Sequence, residues 1–414
     1  MKKESFYNHY IDFNGENRIY NGVSKASVKV DDKIDLLKWI DTNEEHTISL
    51  LNELGLIVDT SESEISTLEY LFHKSYFNTE KFLNIVLVPS LECNFKCPYC
   101  FENVGEHTIF KTNLENYFSL LKKFSKHFFN SFNDIEISLF GGEPLLYSEE
   151  FFDYFEFLKR ELPQVSFFSS IVTNGSLLDR EMANRLLQYN MRSIQVTIDG
   201  WKEIHDNNRI FKNGRKSYEL LIHNINEVVP LLAEDCQFNL RINLNNVTVA
   251  EVESTLSDIS PEIRKKIKVL FRPIYNTDCY KKNNTNKFYE LKPFLDLAIN
   301  MGYDIVRNTY YFQACESCSG DNFFFIMPDM TLWKCINDIK FKDAKIGEIL
   351  EDGSPKCDAD KLLEWYEYSN CFKDEKCVNC KKLPDCFGGC VLYRAKNGKR
   401  SCKEFEMAAL PYLY

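Results

Sequence analysis

Cys93, Cys97 and Cys100 stand close together in the segment ECNFKCPYC. Three thiolates can hold three irons of a 4Fe-4S cube and leave the fourth iron open to a substrate or cofactor, which chemistry requires and electron storage does not. The competing readings are a structural zinc knuckle or buried free thiols, since cysteine packs well as a small apolar residue. Zinc takes four ligands in paired spacing, and after Cys100 no further Cys or His follows until His107.

A second concentration lies near the C-terminus, where the spacing runs Cys377-x2-Cys380-x5-Cys386-x3-Cys390 and then Cys402, with Cys315, Cys318 and Cys335 upstream. A zinc ribbon would put a longer span between its two pairs than the five residues separating Cys380 from Cys386. Eight thiolates suit two cubes of four ligands each. Cys236, Cys279, Cys357 and Cys371 fall outside the pattern and are expected to be buried thiols.

Other polar groups collect where apolar runs end. Leu139-Phe140 leads into Gly141-Gly142-Glu143-Pro144; two glycines let a ligand approach the backbone, and a carboxylate there accepts hydrogen bonds from a cationic amine. An ordinary turn explains Gly-Gly standing alone. Thr173-Asn174-Gly175 and Thr197-Ile198-Asp199-Gly200 end two further runs, the second followed by His205-Asp206 and Arg209. Polar residues at strand ends also simply cap the next helix, and His205 fits an exposed surface position equally well.

The totals narrow the class of protein. Fifteen cysteines, an odd number, in a long chain without a secretion signal point to a reducing compartment, where clustered thiols bind metal or do catalysis. The opening MKKESFYNHY has no apolar stretch behind its lysines, and no later run reaches the roughly 20 residues of a membrane helix, so a cytoplasmic protein with no membrane partner is expected. A net charge of -11 gives no general affinity for a phosphate backbone, so no nucleic-acid partner is expected. With 44% hydrophobic and 27% charged residues the chain should fold, and 414 residues exceed one compact core.

Three zones must position these groups. In residues 1–80, Val23 to Val30 alternates as a strand, Asp31 can cap a helix through Ile34, Leu37 and Ile40, and a second helix ends near Leu54 with Gly55 at the left-handed position before a strand at Leu56-Ile57-Val58. Residues 81–305 repeat an apolar run followed by an amphipathic helix. The runs are Ile85 to Val88, Ile135 to Phe140, Val165 to Val172, Ile194 to Ile198, Phe238 to Leu244 and Ile267 to Phe271. Thr112 with Glu115 forms a capping box for the helix carrying Leu114, Tyr117, Phe118, Leu121, Phe124 and Phe128. Alternating strand and helix means a parallel sheet with helices outside, and its ligands bind at the carboxyl ends of the strands. Residues 306–414 hold ten of the cysteines and should be held together by metal more than by an apolar core.

CNFKCPYC followed by GGEP resembles the radical S-adenosylmethionine family, with its CxxxCxxC loop, and the resemblance covers the whole middle zone. It implies an α/β fold built on a partial (β/α)6 TIM-like barrel. In that family the methionine amino and carboxylate groups chelate the open iron, and an electron from the cluster breaks the sulfonium bond to release a 5'-deoxyadenosyl radical. Carried over by position, Cys93, Cys97 and Cys100 would be catalytic cluster ligands, Gly141, Gly142 and Pro144 would line the methionine moiety, Glu143 would bind its amino group, and Tyr99 would sit near adenine. Asn174, Thr197 and Arg209 would complete cofactor binding; the Thr197 position is usually Ser in the subfamily that modifies peptides.

The C-terminal array resembles the iron-sulfur SPASM domain, with two auxiliary 4Fe-4S clusters beside the one that binds S-adenosylmethionine. By that analogy Cys315, Cys318, Cys335 and Cys390 hold the nearer cluster, and Cys377, Cys380, Cys386 and Cys402 the farther one. The family usually has Gly where Met330 stands, which puts the local turn in question. The same resemblance implies a small α+β winged-helix-like N-terminal domain that captures a leader peptide by strand addition, a ribosomally synthesised precursor peptide as partner, and a flavodoxin- or ferredoxin-type reductant. The expected reaction is hydrogen abstraction followed by a thioether or carbon-carbon crosslink. Epimerisation is an alternative outcome. A sulfatase maturase making formylglycine is the competing enzyme, although it carries Asp after the Cys335 position where this chain has Ile336. A non-catalytic iron-sulfur or zinc scaffold is the reading from another class.

Overall fold

The computed structural model describes residues 2–13, 15–30, 36–41, 44–77, 82–102, 113–274, 290–306, 320, 322–339, 344–398 and 402. Asp31, Ile34, Thr112, Cys279, Cys315 and Cys318 lie outside the described residues. The chain forms two compact units, one of residues 80–306 and 322–362, the other of residues 1–79, 307–321 and 363–414.

In the order of the chain the strands are β1 (Lys2–Glu4), β2 (Asn8–Phe13), β3 (Glu16–Asn21), β4 (Ser27–Lys29), β5 (Ile57–Asp59), β6 (Phe82–Leu87), β7 (Asp134–Leu139), β8 (Ser166–Thr173), β9 (Met191–Asp199), β10 (Gln237–Leu244), β11 (Ile267–Pro273), β12 (Asp304–Ile305), β13 (Phe323–Ile326), β14 (Thr331–Trp333), β15 (Lys345–Ile349) and β16 (Pro355–Cys357).

In the first unit all six apolar runs are strands, β6 to β11, and they are neighbours in chain order within one parallel sheet. The sheet is open. It gains β12 beyond β11, and on the other side β13 pairs parallel to β6 before β14 to β16 continue it antiparallel. Residues 322–362, expected from sequence to depend on metal, thus extend the main sheet.

Alternation gives the sheet two unlike faces. On β7, Ile135, Ile137 and Leu139 are buried towards the helices, while Glu136 and Ser138 point the other way, and Ser138 Oγ meets Ser170 Oγ of β8 at 2.7 Å. Gln195, Thr197 and Asp199 of β9 and Asn239, Arg241 and Asn243 of β10 carry the polar face on. Parallel sheets are ordinarily apolar on both faces because helices cover both. A polar second face suits a ligand site.

The helices follow the expected pattern, with one shifted cap. The first, Leu114–Phe128, buries Tyr117, Phe118, Leu121 and Phe124, but its cap is Asn113, whose side chain accepts the Asn116 N–H, and not Thr112. The asparagine sits at the last extended residue, so its side chain reaches the third helical N–H. The helix Lys292–Asn300 ends before Gly302, at φ +91° as its position required. Met330, where the resemblance would have Gly, keeps the left-handed turn at φ +63°, and it is buried in the hairpin between β13 and β14. That conformation costs a non-glycine residue about 1 kcal/mol or more; the buried side chain offsets it.

The second unit contains the antiparallel pair β1–β5 and the meander β2–β3–β4. Leu54 and Gly55, at φ +69°, close the helix Glu45–Glu53 as expected; the strand expected over Val23 to Val30 is only Ser27–Lys29. One core joins Ile19, Val30, Leu36, Leu51, Leu56 and Ile57. Another unites Tyr7, Leu68, Phe72 and Tyr76 with Cys371, Cys377, Leu383 and Phe387. The Phe72 and Phe387 rings stack at 5.9 Å, and a buried Lys25–Asp385 ion pair at 2.6 Å, with Tyr20 Oη donating to Asp385 at 2.7 Å, adds a polar tie. So small an N-terminal element buries too little surface alone, and residues beyond 363 complete its core. That stretch, expected to rely on metal, shares an apolar core with the N-terminal residues. Among the described residues no helix is long and apolar enough to cross a membrane.

Candidate active site

The loop after β6 carries Cys93, Cys97 and Cys100, and two neighbours fix it. On one side the end of β7 closes against its root: Gly142 N–H donates to Ser90 O at 3.3 Å and Glu143 N–H to Glu92 O at 2.9 Å. A Cβ on Gly141 would stand 2.4 Å from Ser90 O, and one on Gly142 2.2 Å from Glu92 O. The two glycines are therefore required by backbone meeting backbone, a reason additional to any ligand. On the other side, Lys96 N–H donates to Ile210 O, Lys212 N–H to Asn94 O, and the Phe95 and Phe211 rings meet edge to face at 4.6 Å.

Glu143 is fully buried. Its Oε1 accepts from Thr173 Oγ1 at 2.7 Å and Leu145 N–H at 3.0 Å, and Oε2 from Asn174 N–H at 2.7 Å. The carboxylate thus caps the turn begun by Pro144 and ties β7 to β8. Burial raises its pKa, and the three donors oppose that rise. Asn174 Nδ2 donates to Asn94 Oδ1 at 2.7 Å and faces Cys93 Sγ at 3.6 Å, and the Phe95 N–H reaches the same sulfur at 3.3 Å. Burial, with the charges of Glu143 and Cys97 adding, pushes the Cys93 thiol up to about 11, and burial raises Cys97 as well. Buried thiols held protonated this way exchange the proton for a metal cation.

Tyr99 reaches across to the ends of β9 and β10. Its hydroxyl donates to Asp199 Oδ1 at 2.6 Å and accepts from Arg209 Nη1 at 3.2 Å. Asp199 also accepts from Asn243 Nδ2 at 3.0 Å and Asn208 Nδ2 at 3.1 Å. Burial, reinforced by Asp199, raises the Tyr99 pKa well above the phenol range, so the hydroxyl stays a donor. Thr197 is buried two residues before Asp199 on the same face.

The structure therefore gathers Cys93, Cys97, Glu143, Asn174, Tyr99 and Arg209 at the carboxyl ends of consecutive strands. Asp199, Asn208 and Asn243 were not assigned from sequence; polar residues ending an apolar strand were the available signal for Asp199 and Asn243. Glu102 was missed too. It is buried two residues past Cys100, burial and the nearby Glu143 charge push it up to about 8, and its Oε1 has no hydrogen-bond partner among the described residues.

His205, for which the sequence left a surface position open, is fully buried. Its Nδ1 accepts the Asp199 N–H at 3.2 Å and its Nε2 meets Ser217 Oγ at 3.0 Å, while Ser217 Oγ donates onward to Arg209 O. The ring is a brace between the Asp199 strand end and Arg209. Burial, with the Arg209 charge adding, holds its pKa well below the usual imidazole range. The unfolded chain takes up this proton near pH 6.5 and the fold does not, so the stabilisation is present above about pH 6.5 and is lost as pH falls. In urea melts the advantage of the wild type over His205→Gln should shrink by about 1.4 kcal/mol between pH 7.5 and pH 5.5. Cys357, expected to be buried, is exposed because it ends the edge strand β16, whereas Cys236 and Cys371 are buried.

The donor set fits an iron-sulfur cluster with an amino-acid-like ligand. Three thiols lie on one loop, two N–H groups face Cys93, and the buried Arg209 Nε and Glu102 Oε1 have no partner among the described residues. Among the described residues no three His, Cys, Asp or Glu side chains are already drawn together as tightly as a single ion needs. A parallel α/β sheet presenting such a loop at its carboxyl edge defines a cofactor-dependent enzyme of the barrel type. Residues 87–259 match the Radical SAM superfamily, and the chain is an enzyme carrying a radical SAM domain, which implies S-adenosylmethionine and a 4Fe-4S cluster.

Two relatives extend the likeness beyond that domain. The cysteine-type anaerobic sulfatase-maturating enzyme of Clostridium novyi (strain NT) is 25% identical over 341 residues, covering 77% of this chain and 90% of that one. The radical SAM cyclopropyl synthase TigE of Paramaledivibacter caminithermalis is 26% identical over 416 residues, covering 91% of this chain and 83% of its own. In fold the chain is similar to SuiB of Streptococcus suis, with a TM-score of 0.55 at 15% identity over 97% of this chain and 100% of that one; SuiB has also been solved bound to its precursor peptide SuiA.

Proposed function

We propose that this enzyme reductively cleaves S-adenosylmethionine and modifies a ribosomally synthesised precursor peptide, forming a thioether or carbon-carbon crosslink. The observation that carries the choice of substrate is Ile336. A sulfatase maturase has a carboxylate base directly after the Cys335 position, and here a buried apolar side chain stands there, unable to accept a proton. TigE, and SuiB with its bound SuiA, favour the peptide reading by analogy; the Clostridium novyi relative keeps formylglycine formation as the second reading.

When bound, the cofactor and cluster supply an electron and a 5'-deoxyadenosyl radical that abstracts hydrogen. The chain's own groups bind and orient. Cys93, Cys97 and Cys100 hold the cluster. Among the described residues Oε2 of Glu143 accepts only the Asn174 N–H, so an acceptor position would be open for the methionine ammonium group. Arg209 Nε, buried and without a partner among the described residues, would donate to the methionine carboxylate, with Thr197, Asn174, Gly141, Gly142 and Pro144 completing the binding site. Asp199 holds Tyr99 in place beside the adenine position.

The division into domains that accompanies this reading is a leader-recognition domain over residues 1–80, the barrel over 81–305 and a SPASM domain over 306–414 whose two auxiliary clusters use the cysteines assigned from sequence. A flavodoxin- or ferredoxin-type protein supplies the electron. The test is anaerobic incubation of the reconstituted enzyme with S-adenosylmethionine, dithionite and the peptide encoded beside it, followed by mass spectrometry. Loss of two hydrogens is the expected result. An unchanged mass with inverted stereochemistry identifies an epimerase, formylglycine formed in a sulfatase-derived peptide supports the second reading, and an unaltered peptide overturns the proposal.

A further inference from the structure

The polar face of the parallel sheet carries a cation that the cofactor site leaves unused. On β10, Phe238, Leu240, Ile242 and Leu244 are buried on the helix side, so Asn239, Arg241 and Asn243 share the opposite face. Register sets the neighbours of Arg241. It pairs with Thr197 of β9, while Asn243, two residues on, lies between Asp199 of β9 and Arg272 of β11. Arg241 and Arg272 thus stand on the same face of adjacent strands, which run about 4.8 Å apart.

Arg241 is held in place but not neutralised. Its Nε donates to Asn243 Oδ1 at 3.0 Å, and Asn243 Nδ2 donates in turn to Asp199 Oδ1 at 3.0 Å. This relay fixes the guanidinium by one nitrogen. Its two terminal nitrogens have no hydrogen-bond partner, and no carboxylate lies within ion-pair distance of it, among the described residues. The acid at the end of the relay, Asp199, already accepts from Tyr99, Asn243 and Asn208. Arg160, Arg180 and Arg185 on the surface each have a glutamate; this arginine of the sheet's polar face has none. Burial first, and then the Arg272 charge, acts against its cation and lowers its pKa. A cation withdrawn from water without a counter-ion is costly, and an incoming anion removes that cost. A carboxylate matches the shape, because the terminal nitrogens of a guanidinium form a planar fork that receives both of its oxygens.

We propose that Arg241 is a specificity-determining residue that binds a carboxylate of the peptide substrate, with the charge of Arg272 adding to the attraction. The inference rests on the peptide reading given above and names a chemical feature of that substrate. The carboxylate is either an aspartate or glutamate side chain close to the modified residue or the peptide's own C-terminus. Because Arg241 is level with Thr197 on the neighbouring strand, the ion pair anchors the peptide beside the place where the radical forms.

The test is a cycle of enzyme and peptide variants read by mass spectrometry as kcat/KM for modification. The substrates are the peptide encoded beside the enzyme, versions with each Asp and Glu changed in turn to Asn and Gln, and a version with a C-terminal amide. One of these neutralised peptides should lose roughly tenfold or more with the wild-type enzyme, and which one it is identifies the source of the carboxylate. Arg241→Gln should lose as much with the unaltered peptide and no further with the neutralised one. Its affinity for S-adenosylmethionine, by equilibrium dialysis of the reconstituted protein, should stay within about twofold of wild type. The peptide arms alone keep the proposal open to refutation should Arg241→Gln fail to fold. Indifference of the wild type to every neutralised peptide, losses that multiply in the cycle, or a loss confined to cofactor affinity would each overturn the proposal while the peptide reading stands. A wild-type enzyme that leaves the unaltered peptide unmodified overturns both.

Discussion

Cys93→Ala, reconstituted anaerobically and given S-adenosylmethionine and dithionite, should release no measurable 5'-deoxyadenosine, a loss of at least about 1,000-fold, or about 4 kcal/mol of transition-state stabilisation. The fold should survive. Cys93 is only partly buried and its sulfur accepts the Phe95 N–H and faces Asn174 Nδ2, so removing it costs about 1 kcal/mol of stability. Chromatographic assay of the nucleoside, beside a thermal melt, separates the two effects. A variant that still cleaves the cofactor at a rate within tenfold of wild type would show that the cluster does not hang on this loop.

Gly142→Ala should be nearly as damaging for a different reason. Its Cβ would meet Glu92 O at 2.2 Å and Leu91 O at 2.5 Å, and these are backbone atoms just before Cys93. Backbone cannot swing aside as a long side chain can, so the loop root must separate from β7. We expect a loss of about 3 kcal/mol or more in denaturant melts, together with failure to retain the first cluster's iron after reconstitution. Gly214→Ala is the control. Gly214 is at φ +86° with nothing within 4 Å of its would-be Cβ, so only the backbone penalty of about 1 to 2 kcal/mol applies. Equal costs at the two positions would refute the contact argument.

The two substitutions show how differently the site's parts were legible. Cys93 announces itself, since residue type and spacing mark it as a candidate cluster ligand. Gly142 was read as room for a ligand, and its clash with Glu92 O appears only once β6 and β7 are paired. His205 was read as a surface residue equally well, because nothing local reveals that Asp199 N–H and Ser217 Oγ enclose its ring. Cys371 was expected to be a buried thiol outside the pattern and is one, but the aromatic partners that bury it, Phe72 and Tyr76 among them, come from the far end of the chain.

The sequence by itself determined the six parallel strands, the helices between them, the left-handed position at Gly55, and the three-cysteine loop at a strand's carboxyl end. Each is a property of short stretches of chain, where periodicity and backbone preference act over a few residues. Only the tertiary structure decided that β13 would join the sheet beside β6, that the chain beyond residue 363 would complete the core of the N-terminal unit, that Glu143 would tie β7 to β8 and that Tyr99 would reach Asp199. Those outcomes depend on which distant surfaces bury the most apolar area and satisfy the most buried donors, a comparison made over the whole folded chain and absent from any single window of it.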